Sequence, residues 1–276
     1  MARLKRAFED CMALHLVVLC FIFLAGSAFA QAAAPEATVD LDLVLAVDVS
    51  GSIDTRESAL QRGGYLAAIR SPEFAAAVRA GSLGKIRLTY VEWAGDSAQQ
   101  VTVPWRMIDT PEAAQAFANE LALQPAARFR RGTSISSALR FSAGLFEDGG
   151  IRRVIDISGD GPNNVGGNVT LVRDAVVAQG IVINGLPLLL SPAQILPPLD
   201  RYFVDCVIGG EGAFVLPVTS VDNLGEAIRM KLLRELLSTN GSGNVIPAAA
   251  EPPTDCLAGE KERARRTDQY FPELDR

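Results

Sequence analysis

Three short stretches of the chain carry oxygen-bearing side chains at spacings that could hold an ion. The first is Asp48-Val49-Ser50-Gly51-Ser52, where a carboxylate and two hydroxyls alternate at the end of a near-continuous apolar run, "DLDLVLAVDV". The second is Thr133 in "RRGTS", and the third is Asp160 in "SGDG". Carboxylates and hydroxyls without imidazole or thiolate make a hard site, suited to Mg2+, Mn2+ or Ca2+ rather than to zinc or copper. Few carboxylates and several small hydroxyls favour an octahedral ion at roughly 2.0–2.1 Å that keeps water or accepts an outside ligand. Mg2+ or Mn2+ is therefore the expected cofactor, with Ca2+ the poorer fit. An open position on such an ion would attract a carboxylate, so the expected partner is a protein that presents an acidic residue to it.

These residues are useful only if a scaffold brings them together. The apolar run before Asp48 has the pattern of a strand covered on both faces. Asp54 with Glu57 reads as a capping box, opening a helix that carries Leu60, Tyr65, Leu66 and Ile69. Ser71-Pro72 starts a short second helix. "KIRLTYVEWAG" and "QQVTVPWRMI" read as an antiparallel hairpin. Thr110-Pro111 caps a helix, and another is expected from about Ser136 to Phe146. "RRVIDISGD" is a buried strand that leads into "GPNNVGGN", a loop saturated with turn formers. A helix over Leu171 to Gln179 and a strand in "GIVINGLPLL" follow, then extended material in "DRYFVDCVI" and "AFVLPVT". "VDNLGEAIRMKLLRELL" is an amphipathic helix with Ile228, Leu232 and Leu236 on one face.

Strands alternating with helices predict a doubly wound α/β fold. Its central sheet should be mainly parallel, with one antiparallel edge strand and helices on both faces. Ligands of such sheets gather beyond the carboxyl ends of the strands, which puts all three oxygen-bearing stretches at one edge. No internal repeat is visible, and one domain over residues 39–238 accounts for the chain, with a disordered tail expected over 239–276.

"DVSGS" (Asp48 to Ser52), "GTS" (Gly132 to Ser134) and "SGDG" (Ser158 to Gly161) resemble the three loops of a von Willebrand factor A (vWA) domain. In that family the loops form a metal-ion-dependent adhesion site (MIDAS). More narrowly, the chain resembles an exported bacterial family of such domains with no assigned function. The resemblance implies a vWA/Rossmann-like fold. It also implies that Ser50, Ser52 and Thr133 approach the metal through their hydroxyls, while Asp48 and Asp160 hold it directly or through water. The third loop of the family is commonly Thr-Asp-Gly, whereas this chain has Ser158-Gly159-Asp160-Gly161. Asp156 interrupts the same strand and points to the face of Ser158 and Asp160. A buried carboxylate needs partners, so Asp156 either pairs with an arginine such as Arg131 or Arg153 or supports the site from behind.

Composition narrows the function further. A formal charge of −6 argues against a nucleic-acid-binding surface. The only basic cluster, "EKERARR" (Glu260 to Arg266), is interleaved with acids and reads as a solvated tail. Residues 1–30 have the basic, apolar and small-residue parts of a secretory signal peptide, and 31–38 read as a linker. Periplasmic or secreted localisation is expected, without membrane insertion after cleavage; the alternative is an N-terminal membrane anchor. Cleavage would remove the sole histidine, His15, together with Cys11 and Cys20. That excludes His-dependent nucleophilic catalysis from the exported form. A Ser–Lys pair would have to recruit Lys85, Lys231 or Lys261, none of them near a motif. Cys206 and Cys256 either form a disulfide or stand as two independent thiols. Trp93 and Trp105 are expected to fill the core or brace the hairpin. The reading is a non-enzymatic, exported, metal-dependent binding module. One alternative is a metal-assisted hydrolase, which lacks an obvious general base. The other is a structural domain with a vestigial site, against which all five oxygen positions count.

Overall fold

Strand β1 (Val39–Asp48) is apolar on both sides because both sides are covered. Leu41, Leu43, Leu45 and Val47 face one helical layer, and Val44 and Ala46 face the other. The computed structural model describes residues 38–125, 127, 132–147, 150–190, 197–237 and 254–270. The leader read in residues 1–30, nearly all of the linker, Arg131, and residues 239–253 and 271–276 of the expected tail lie outside them. Among the described residues no helix is long and apolar enough to cross a membrane.

The capping box opens α1 (Thr55–Ile69): the Asp54 side chain accepts from the Glu57 N–H, and the Glu57 side chain accepts from the Asp54 N–H. Helix α2 (Pro72–Arg79) is capped by Ser71, and α3 (Pro111–Leu123) by Thr110, each with proline in its first turn. Between them lie β2 (Ile86–Trp93) and β3 (Gln99–Ile108), which pair antiparallel. Then come α4 (Ile135–Ala143), β4 (Gly150–Gly159), α5 (Val169–Val177) and β5 (Val182–Pro187). Helix α6 (Leu199–Tyr202) continues into a π turn over Phe203–Val207, and α7 (Leu224–Leu237) and α8 (Ala258–Tyr270) close the described chain.

The five-stranded sheet has the order β3-β2-β1-β4-β5, parallel except for β3 at one edge. It is the doubly wound α/β fold that the alternating pattern predicts, of the vWA/Rossmann-like kind that the resemblance of the three loops implies. Helices α1, α2, α3 and α7 pack on one face, and α4, α5 and α6 on the other. The register aligns the carboxyl ends: Asp48 lies opposite Trp93 of β2, and Val47 lies opposite Ser158 of β4. The site-bearing loops therefore leave the sheet side by side.

Two expectations are corrected, and one is refined. "DRYFVDCVI" is helical, not extended. Its apolar residues Tyr202, Phe203, Cys206 and Val207 recur at helical spacing and are buried, but the run is too short for periodicity to arbitrate. "AFVLPVT" is extended as expected, but it makes only isolated bridges beside β5, at Val215 and Val218. Pro217 between them has no N–H to give a ladder. Residues 254–270 are not a tail but carry α8, held by a disulfide between Cys206 and Cys256 with Cα atoms 5.6 Å apart. A mostly polar helix gives no apolar period, so nothing local in "EKERARR" announced it.

Candidate metal centre

Asp48 ends β1 completely buried, and the chain turns sharply after it. One carboxylate oxygen, Oδ1, accepts from the Ser50 N–H at 2.7 Å. The other, Oδ2, is buried with no hydrogen-bond partner among the described residues. The hydroxyls of Ser50 and Ser52 are 3.1 Å apart, and the Ser52 hydroxyl donates to Asp160 Oδ1 at 2.8 Å. Four of the five candidate residues thus form one hydrogen-bonded chain, running from buried Asp48 to exposed Ser52. Gly159 makes room for it: a Cβ there would sit 3.2 Å from Asp48 Oδ2 and 3.5 Å from the Trp93 ring. The Ser-Gly-Asp-Gly order of this loop therefore has a local reason, since the glycine lies where Asp48 approaches.

Thr133 is not part of that chain among the described residues, but its loop is stitched to the one carrying Asp160. Its N–H donates to Asn164 Oδ1 at 2.9 Å, and its carbonyl accepts from the Asn164 N–H at 2.9 Å. Gly132 before it has φ +78, a left-handed conformation that suits glycine. The next residue, Ser134, caps α4 and donates its N–H to the Ala94 carbonyl at 2.7 Å, just past β2. Thr133 itself is buried.

The electrostatics of the site are unbalanced. Burial and the nearby Asp160 push the Asp48 carboxyl up to about 8, against the hydrogen bond from Ser50. Burial raises Asp160 as well, opposed by the Ser52 hydroxyl. Two carboxylates thus share a desolvated corner without a neighbouring cation among the causes of either shift. Among the described residues no three His, Cys, Asp or Glu side chains gather to hold a metal. The donors here are two carboxylates supplemented by hydroxyls.

Asp156 has a partner that the sequence reading did not name. Arg153 reaches the Gln179 carbonyl instead, and Arg131 lies outside the described residues. The side chain against Asp156 is Lys231 of α7, with both groups 1% exposed. Lys231 also lies 3.4 Å from Glu235 one turn on, and Asn184 Nδ2 donates to Glu235 at 2.7 Å. Burial raises both the Asp156 and Glu235 carboxyls, while Lys231 pulls each down. The signal was present: Ile228, Lys231, Leu232 and Glu235 lie at the spacing of one helical face, so a cation and an acid interrupt an apolar stripe. Asn163 and Asn164 were also missed, having been read only as turn formers. Trp93 is fully buried, and Trp105 braces the hairpin by donating its N–H to the Leu145 carbonyl at 2.9 Å.

A family model described as a protein of unknown function, DUF1194, matches residues 38–240. No curated protein matches the chain significantly. Among solved structures, the pilus adhesin SpaC from Lactobacillus rhamnosus GG in its open conformation aligns with a TM-score of 0.54 and 13% identity. That match covers 72% of this chain and 30% of SpaC. Proximal thread matrix protein 1 (PTMP1) from the mussel byssus aligns with a TM-score of 0.54 and 16% identity, over 73% of this chain and 49% of that one. A form of PTMP1 with a zinc-occupied MIDAS motif aligns with a TM-score of 0.50 and 13% identity, over 71% and 46%. The chain spans less than half the length of these solved structures, and identities this low speak for the fold alone. The described residues have a vWA-like α/β fold, and the chain belongs to DUF1194, a family of proteins of unknown function.

Proposed function

We propose that the chain is an exported, divalent-metal-dependent protein-binding module whose site is Asp48, Ser50, Ser52, Thr133 and Asp160. The observation that carries this reading is the Asp48 carboxylate. It is fully buried, one of its oxygens has no partner among the described residues, and a second carboxylate lies across a hydroxyl bridge. A carboxyl buried in that setting keeps its proton unless a cation replaces it, and a bound ion would do so. The donor set fits Mg2+ or Mn2+, with Asp48 and Asp160 supplying charge and the three hydroxyls supplying neutral oxygens. The zinc-occupied MIDAS motif of PTMP1 supports a divalent ion on this fold in general and does not select Mg2+.

A bound ion would supply an open coordination position for a carboxylate of the partner protein. The chain's own residues do the rest. Burial of Asp48 fixes the inner side of the site, and exposed Ser52 with half-buried Asp160 leaves the outer side open. The domain is assigned to residues 39–238, with Cys206–Cys256 tying the C-terminal segment to it. A disulfide suits an oxidising periplasmic or extracellular setting. A binding role is favoured over hydrolysis because both site carboxylates would serve as ligands, and Glu57, the acid near Asp160, is engaged in the capping box of α1.

The test is affinity capture from an envelope extract with the protein immobilised. Proteins retained with Mg2+ should be lost on chelation and lost again with Asp48→Ala. The same proteins retained under all three conditions would show that recognition does not pass through a metal.

A further inference from the structure

The family match ends at residue 240, yet residues 254–270 are fastened to the loop that carries Asp160. The Cys206–Cys256 disulfide anchors this segment beside α6. Tyr202 of α6 donates its hydroxyl to the Cys256 carbonyl at 3.3 Å and accepts the Asn163 N–H at 3.2 Å. In the first turn of α8, Glu260 Oε1 accepts from Asn163 Nδ2 at 2.7 Å. Gly259 lies so close to the loop that a Cβ on it would sit 2.1 Å from the Asn163 carbonyl oxygen. Only glycine allows that approach without moving the helix away.

Asn163 is where these contacts meet the site. Its Oδ1 accepts from the Ser136 N–H at 3.0 Å, in the first turn of α4, directly after the Thr133 loop. Its Nδ2 also donates to the Val165 and Gly167 carbonyls at 3.2 Å each, which folds the loop around it. The next residue, Asn164, holds Thr133 by both its backbone N–H and its side-chain oxygen. A continuous path of contacts therefore runs from α8 through Asn163 and Asn164 to Thr133.

The geometry points to residues 254–270 as a disulfide-tethered strap that positions the Asp160 and Thr133 loops, with Glu260 and Gly259 as its positioning residues. The inference rests on the metal-site reading above, because Thr133 matters here as a hydroxyl of that site. The strap touches neither Asp48 nor Ser50 nor Ser52 among the described hydrogen bonds, so its loss should loosen one side of the site and leave the other in place.

The experiment compares the full chain with Gly259→Ala, Glu260→Ala and Glu260→Gln. Amide hydrogen exchange over residues 163–168 is read without metal, and Mn2+ affinity by titration. Gly259→Ala and Glu260→Ala should speed exchange in that loop and weaken Mn2+ binding roughly fivefold, the scale of one lost hydrogen bond. Glu260→Gln should stay near the parent protein, because its amide oxygen still accepts from Asn163. Unchanged exchange in both disruptive variants would overturn the strap, as would Glu260→Gln falling as far as Glu260→Ala. If Gly259→Ala does not fold, the two Glu260 variants decide the matter. If the parent protein binds no Mn2+, the metal reading fails, and the exchange comparison still judges the strap.

Discussion

Asp48 has one oxygen satisfied by the Ser50 N–H and one satisfied by nothing among the described residues, at a position with no exposure. That asymmetry sets a pH dependence whose sign can be worked out. In the folded, metal-free protein burial and the nearby Asp160 push the Asp48 carboxyl up to about 8, from the ordinary 3.8 of a solvated aspartate. Between those values the folded state holds a proton that the unfolded chain has released. Stability of the metal-free protein should therefore fall as pH rises from about 4 to about 8. Binding an ion displaces that proton, so affinity should rise by about tenfold per pH unit up to about pH 8. Asp156 and Glu235 are raised by burial too and add to the slope in the same direction. The difference between the parent and Asp48→Asn isolates Asp48, and urea denaturation across this range measures it. An equal slope in both proteins would contradict the assignment. At this scale the site was partly legible in advance. Asp48, Ser50 and Ser52 stood out because alternate oxygens ending an apolar strand have no packing role. Asn163 and Asn164 did not stand out, because their roles are contacts with other loops.

Helix α7 is attached to the sheet by apolar packing of Ile228 and Leu232 and by a buried ionic cluster of Lys231, Asp156 and Glu235. Removing one partner from such a cluster leaves a charge that water cannot reach. Lys231→Ala should lower stability by about 3–5 kcal/mol. The double variant Lys231→Ala with Asp156→Ala should cost less than the sum of the two single changes. Chemical denaturation of the four proteins closes that cycle; additive losses would show that the pair is not coupled. Helix and strand types were legible where a cap or a clear period marked them, as at Asp54, Thr110 and the β2–β3 hairpin. They were misread at Phe203–Val207 and Ala258–Tyr270. There a short apolar run and a charge-rich run each take their conformation from tertiary contacts rather than from local pattern.

For the molecule as a whole, the strand order β3-β2-β1-β4-β5 brings one edge of the sheet together from distant parts of the chain. Ser52 and Asp160, hydrogen-bonded to each other, are separated by 108 residues. Sequence pattern foretold the edge on which they meet, because loops at the carboxyl ends of parallel strands must converge. It did not foretell that the C-terminal segment returns to brace that edge, since a disulfide and a glycine contact leave no period to read. The central claim is that the converged oxygens hold a divalent ion, and calorimetric titration of the full chain with Mg2+ and Mn2+ tests it most directly. One saturable site with proton release is expected in the parent, lost in both Asp48→Ala and Asp160→Ala. No binding by the parent, or binding unchanged in either variant, would contradict it.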